Sequence, residues 1–183
     1  MTGTVRIIAG QWRGRKLKVP NQTGLRPTPN RIRETLFNWL AMDLPGSRCL
    51  DLFAGSGALG IEAASRGAKQ VVLIEKQRDI VQSLRQQMTS FAADNVTILS
   101  NDAIKFLKKK TDSFDIVFLD PPYGSNLLNS CCTLLQQGGW LNQEALIYLE
   151  TDTSLAKPNL PESWQIIRQK NAGQVAAYLI KSE

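Results

Sequence analysis

From Arg48 onward the chain alternates short apolar runs with stretches whose apolar residues fall at helical spacing. Strands are predicted at Cys49–Phe53, Gln70–Glu75, Val96–Leu99 and Asp115–Leu119. Helices are predicted from about Ala58 to Arg66, through about Phe91, from Ala103 to about Lys109, and after Ser125. An uninterrupted run such as Ile116–Leu119 suits a strand buried in a sheet. Three further strands, Glu144–Glu150, Trp164–Gln169 and Gln174–Ile180, close the chain. No helical pattern separates the last two, which predicts an antiparallel hairpin at one edge. Repeated βα units otherwise build a parallel, doubly wound sheet with helices on both faces. The expected fold class is therefore α/β, Rossmann-like, with a mostly parallel sheet.

The first thirty residues follow another pattern. Val5–Ala9 and Lys16–Val19 read as a small β-hairpin around Gly10–Arg15. Its alternation exposes Arg6, Lys16 and Lys18. Trp12, near its tip, has two open roles: stacking on a base or pinning the hairpin to the rest of the chain. Pro20, Pro27 and Pro29 keep residues 20–30 extended. Asn30 reads as the N-cap of a helix carrying Ile32, Leu36, Phe37 and Leu40. The expected organisation is a basic extension over residues 1–30 and an enzyme-like domain over 31–183.

Charge sharpens that division. The net charge is +6, yet residues 1–33 hold eight basic residues and no acid. The remainder carries 14 basic against 16 acidic residues. Positive charge concentrated in this way is the footprint of a polyanionic partner. Arg31 and Arg33 lie in the first turn of a helix, where the backbone dipole disfavours cations. Their placement predicts an anion nearby. The chain has no histidine, which excludes Ser-His and Cys-His catalysis and any His-ligated metal. Its three cysteines form neither a disulfide framework nor a zinc spacing, as in a reduced, cytosolic protein. No apolar run approaches a membrane span.

The first strand leads into Asp51-Leu52-Phe53-Ala54-Gly55-Ser56-Gly57-Ala58-Leu59-Gly60. Glycines at such a strand–helix turn let backbone N–H groups approach a ligand closely. Gly55, Gly57 and Gly60 match the dinucleotide spacing, and Glu75 lies where a ribose-binding acid belongs, so a nicotinamide enzyme is one reading. Asp51, however, puts a carboxylate beside the loop, which suits a cationic ligand better than a pyrophosphate. Asn101-Asp102 follows the third strand, although Asp102 is equally suited to capping the next helix. Asp120-Pro121-Pro122-Tyr123 ends the fourth strand, because neither proline can donate a ladder hydrogen bond. Asp51, Glu75, Asp102 and Asp120 thus stand at the ends of four successive strands. An acid, a rigid carbonyl and an aromatic face in one turn suit a planar ring bearing an amine.

These motifs, in this order, resemble those of class I S-adenosylmethionine-dependent methyltransferases. The Asp120–Tyr123 turn is similar to that of enzymes methylating the exocyclic amines of adenine, cytosine or guanine. Arg26-Pro-Thr-Pro-Asn-Arg-Ile-Arg-Glu-Thr-Leu-Phe-Asn-Trp-Leu40 together with Asp51–Gly60 resembles the bacterial 16S rRNA (guanine-N2)-methyltransferase family, over nearly the whole chain. Asn30 stands where that family has aspartate, and Tyr123 where phenylalanine is common.

The resemblance implies the class I fold of seven strands, a soluble cytoplasmic enzyme, S-adenosylmethionine as methyl donor and no metal. It also implies 16S rRNA as partner, within a small-subunit particle; a monomer is the default expectation, since the sequence carries no evident interface signal. It gives cofactor contacts to Asp51, Phe53, Gly55, Gly57, Glu75, Asp102 and Asp120. Catalysis falls to Asp120 and the Pro121 carbonyl, which hold the amine, and to Tyr123, which stacks on the base. Arg13, Arg15, Lys16, Arg31 and Arg33 would grip the RNA backbone. Rival readings are a DNA adenine-N6 methyltransferase, a protein-glutamine methyltransferase and a non-catalytic RNA-binding protein of the same fold.

Overall fold

The computed structural model describes residues 3–19, 30–109, 112–122, 127–155 and 157–183. The loop expected over residues 20–29 lies outside them, as does Tyr123. Among the described residues the strands form a two-stranded hairpin and a seven-stranded sheet. β1 (Gly3–Arg6) and β2 (Lys16–Val19) are the hairpin, with Arg6 opposite Lys16. The sheet comprises β3 (Arg48–Asp51), β4 (Gln70–Glu75), β5 (Val96–Ser100), β6 (Phe114–Leu119), β7 (Leu141–Asp152), β8 (Trp164–Ala172) and β9 (Val175–Ser182). Its order is β5-β4-β3-β6-β7-β9-β8. The pairs from β5 to β7 are parallel, and β9 is antiparallel to both β7 and β8. The expected edge hairpin is therefore present, with β9 inserted beside β7 and β8 outermost.

The helices are α1 (Asn30–Trp39), α2 (Gly60–Ser65), α3 (Arg78–Phe91), α4 (Ala103–Leu107) and α5 (Leu127–Gln137). Burial on both faces explains the continuous apolar runs. In β4, Val71 and Leu73 face one core cluster, while Val72 and Ile74 face the other. β6 divides in the same way, Ile116 and Phe118 against Val117 and Leu119. The hairpin, α1, α2 and α3 contribute to the first cluster, and α4 and α5 to the second. In α3 the buried residues Ile80, Val81, Leu84 and Met88 recur at helical spacing. The helix ends where Ala92 turns left-handed, φ 50°, and its N–H is spent on the carbonyls of Met88 and Thr89.

Two local expectations change. α2 begins at Gly60 rather than near Ala58, because the glycine turn extends further than its apolar spacing suggests. Asn30 is the first residue of α1, and its side-chain oxygen accepts from Arg33 Nη1 at 3.2 Å.

The basic hairpin is built into the first cluster. Val5, Ile7, Trp12 and Leu17 are buried there. Trp12 packs on Phe91 of α3, with ring centroids 5.7 Å apart, so packing is its observed role. Ser65 of α2 accepts from Trp12 N (3.0 Å) through its hydroxyl and from Gln11 N (2.8 Å) through its carbonyl. A Cβ on Gly10, whose φ is +82°, would sit 1.8 Å from that same carbonyl oxygen. Only glycine lets the hairpin lie so close to α2.

Candidate active site

β3 lies between β4 and β6, and the chain reaches these neighbours by crossing in opposite directions. Its carboxyl end is thus the topological switch point, where open α/β sheets bind their ligands. Backbone hydrogen bonds knit the loops leaving this edge: Leu52 N to Phe118 O, Ala54 N to Ile74 O, and Asn101 N to Glu75 O. The ends of β3, β4, β5 and β6 are held in one row, as the spacing of the acids predicts.

Glu75 braces the glycine loop. One carboxylate oxygen accepts from Gly55 N at 3.0 Å and the other from Gln77 N at 2.9 Å. Asp51 does the same from the other side, accepting from Phe53 N at 3.3 Å and from Gly60 N at 3.1 Å. Gly57, at φ +77°, has Ile61 Cδ1 where a Cβ would point, 2.3 Å away. The loop therefore depends on glycine for its conformation as well as for ligand access. Phe53 is partly buried and packs against the second core cluster.

Burial foremost, with a smaller push from the nearby Glu75 carboxylate, raises the Asp51 carboxyl to about 7. The two backbone N–H bonds oppose the rise without cancelling it. A buried acid with no ion pair among the described residues suits a positively charged ligand. Asp102 caps α4, its Oδ1 accepting from Lys105 N at 3.0 Å, while Asn101 Oδ1 accepts from Asp102 N at 2.9 Å. Capping fixes the direction in which Asp102 presents its remaining acceptor capacity.

Asp120 follows β6 and is partly exposed, Pro121 is buried and Pro122 exposed. This turn leaves the sheet at the edge where Asp51 and Glu75 hold the glycine loop.

The expected RNA contacts separate into two groups. Arg13, Arg15 and Lys16 are exposed on the hairpin, and Arg31 is exposed on α1. Arg15 lies over the Phe91 ring, 4.6 Å from its centroid, and donates to Ser90 O at 3.3 Å. Arg33 is a correction: its side chain is fully buried and cannot grip an RNA backbone. The anion that its helix position predicted is Glu62, 3.3 Å away on α2. Glu62 itself was not singled out from sequence. Its signal was a lone acid inside the otherwise apolar Gly60–Ala64 segment. Glu150 was missed as well, a buried acid ending the apolar run Ala145–Leu149. The sequence pattern closes its strand at Glu150, whereas β7 continues to Asp152.

The chain matches the family model described as Conserved hypothetical protein 95 over residues 5–181. The Escherichia coli protein named ribosomal RNA small subunit methyltransferase D is 48% identical, over 100% of this chain and 92% of its own length. The Haemophilus influenzae protein of that name is 43% identical, covering 98% and 95%. A solved proposed methyltransferase from Escherichia coli superposes with a TM-score of 0.92 at 46% identity, covering 99% of both chains. With family motifs matched from end to end and the glycine loop set at the switch point, this chain belongs to the family of the small-subunit ribosomal RNA methyltransferases D.

Proposed function

We propose that this protein methylates the exocyclic N2 amine of a guanine in 16S rRNA of the small ribosomal subunit. The observation that carries the reading is the Asp120-Pro121-Pro122 turn, next to the glycine loop that Glu75 and Asp51 brace. The names of the full-length relatives support small-subunit rRNA as the substrate class.

The residues fit S-adenosylmethionine. A buried acid with no ion pair among the described residues, a glycine turn intolerant of Cβ atoms and a strand-end glutamate suit its cationic methionine part and its ribose. When bound, it supplies an activated methyl group on a sulfonium sulfur. Gly55 and Gly57 bring the backbone close to it, Glu75 takes the ribose hydroxyls, and Asp102 takes the adenine amine. Phe53 lines the same pocket.

The amine of guanine is a weak nucleophile because its lone pair is delocalised into the ring. Asp120 accepts one N–H and the Pro121 carbonyl the other, favouring a pyramidal nitrogen. As that nitrogen becomes cationic, Asp120 stabilises the charge more than it stabilised the neutral amine. Tyr123 stacks on the base, drawn out of its helix or loop. Arg13, Arg15, Lys16 and Arg31 hold phosphates and orient the RNA without reading its sequence.

The test is transfer of labelled methyl groups to small-subunit particles, naked rRNA and duplex DNA, followed by nucleoside analysis. N2-methylguanosine in the RNA arms is the expected product. N6-methyladenine, formed only in DNA, would overturn the reading, and tight RNA binding without turnover would leave a binding module.

A further inference from the structure

The basic hairpin lies along one flank of α3. Gln87 Oε1 accepts from Lys18 N at 2.8 Å, and Ser90 O accepts from Arg15 Nη1 at 3.3 Å. With 3.6 residues per turn, Arg85 points about 160° away from Gln87, and Arg78, two turns earlier, lies on the side of Arg85. That far flank faces β5, the outermost parallel strand of the sheet. Between helix and strand runs a groove of about 610 Å³, lined by Arg78, Gln82, Arg85, Gln86, Thr89 and Ser100. It starts at the carboxyl edge of the sheet: Ser100 is the register partner of Glu75, and Arg78 follows that glutamate by three residues.

Among the described residues no acid lines this groove. Asp79 is the only acid of α3, and it stands outside the lining. Arg78 opens the helix, where the backbone dipole disfavours a cation. On α1 the same signal is answered inside the protein, by Glu62 beside Arg33. Arg78 is exposed and has no ion pair among the described residues. Arg85 is exposed as well, and its Nη2 donates to Ile98 O at 3.1 Å, which holds the guanidinium against the edge of β5. A guanidinium has five N–H donors, so one such bond orients the fork and leaves most of it for a ligand.

We infer that this groove is a second track for the rRNA backbone, in which Arg78 and Arg85 bind phosphates of the strand leading to the target base. The inference rests on the proposed function and extends its RNA surface from the hairpin across α3. The two arginines stand about 10 Å apart along the helix axis, far enough to engage separate phosphates of one strand. Gln82, Gln86, Thr89 and Ser100 can each donate and accept, which suits the sugar hydroxyls and phosphate oxygens beside them. Protein partners are held by buried aromatic anchors, and no aromatic residue lines the groove among the described residues. Cations interspersed with small hydrogen-bonding groups are the chemistry of a phosphate track.

The test measures binding of naked 16S rRNA and of small-subunit particles across a salt series, with methyl transfer followed in parallel. Arg78→Ala with Arg85→Ala is expected to lower the slope of log affinity against log salt by about 0.7–0.9 for each contact removed. It should raise KM for RNA more than it lowers kcat, and leave the affinity for S-adenosylmethionine without RNA unchanged. Gln82→Glu sets a carboxylate between the two arginines without removing either. It should weaken RNA binding at an unchanged Tm, and it serves if the alanine pair fails to fold. Wild-type affinities and slopes in both variants overturn the inference alone. Losses confined to particles, with naked rRNA bound normally, would assign the groove to an acidic protein surface and overturn it as well. A wild type that binds rRNA, with these losses in the variants, but makes no N2-methylguanosine overturns the proposed reaction and leaves the groove its role.

Discussion

Glu62 of α2 and Arg33 of α1 form an ion pair of 3.3 Å in which both side chains are fully buried. Glu62 also accepts from the hairpin amides of Ile8 (2.7 Å) and Ala9 (3.0 Å) and from Arg66 Nε (2.7 Å). One carboxylate therefore joins the hairpin, α1 and α2. Burial lowers the Arg33 pKa from its ordinary value, and Glu62 opposes that fall. Breaking a buried pair from one side leaves the other charge stranded. Glu62→Ala is expected to cost about 3–5 kcal/mol of stability, read as a lower Tm. In hydrogen exchange, the amides of Ile8 and Ala9 should lose protection first. Unchanged protection there would show that the carboxylate does not anchor the hairpin.

Asp120 is the proposed catalytic acid and is partly exposed, so Asp120→Ala should cost no more than about 1 kcal/mol of unfolding free energy. Single-turnover methyl transfer should slow by about 10²–10³-fold, the usual loss when a preorganised group at developing charge is removed. Calorimetry should show affinity for S-adenosylmethionine falling far less than the rate of transfer. A variant that turns over normally would remove Asp120 from the catalytic role.

The raised pKa of Asp51 makes a specific pH dependence. Between its ordinary value of 3.8 and about 7, the folded chain holds a proton that the unfolded chain has released. This group therefore lowers stability as pH rises through that window, and the penalty is constant above it. A cationic ligand favours the ionised carboxylate, so cofactor affinity should tighten with rising pH up to about 7, with proton release on binding. The difference between wild type and Asp51→Asn isolates this effect from the ligand's own amine. Calorimetry in buffers of different ionisation enthalpy measures it, and identical pH profiles for the two proteins would refute it.

The exposed hairpin cations are the proposed phosphate contacts for RNA. Arg13→Ala with Lys16→Ala should weaken binding to different RNA sequences equally. Each lost contact should reduce the slope of log affinity against log salt by about 0.7–0.9. Arg33→Lys, a change inside the core, should leave that slope unaltered and lower the Tm instead. Filter binding across a salt series separates the two outcomes.

The sheet was legible because strands buried on both faces leave continuous apolar runs, as in Val71–Ile74 and Ile116–Leu119. The strand-end positions of Asp51, Glu75 and Asp102 were legible for the same reason. What Asp51 and Glu75 do without a ligand was not, since bracing the glycine loop depends on backbone N–H groups brought in by the turn. Arg33 misled because its charge and helix position are those of an anion-binding group. Its anion, Glu62, lies 29 residues away and only tertiary packing brings it near. Trp12 could not be decided from sequence because both roles need an aromatic ring at the hairpin tip.

The insertion of β9 between β7 and β8 bears on how the molecule assembles. β8 has its partner in β9, and the central stretch of β7, Ala145–Leu149, is buried on both faces. Until β9 arrives, that stretch of β7 has an open apolar edge, the kind along which chains associate with one another. β8 and β9 are joined by a tight turn at Gly173, φ +59°, and hairpins of this kind close within microseconds. The pair can thus dock as a preformed unit and cover the edge in a single event. The antiparallel seam is a means of shortening the interval in which a folding chain is vulnerable to its neighbours.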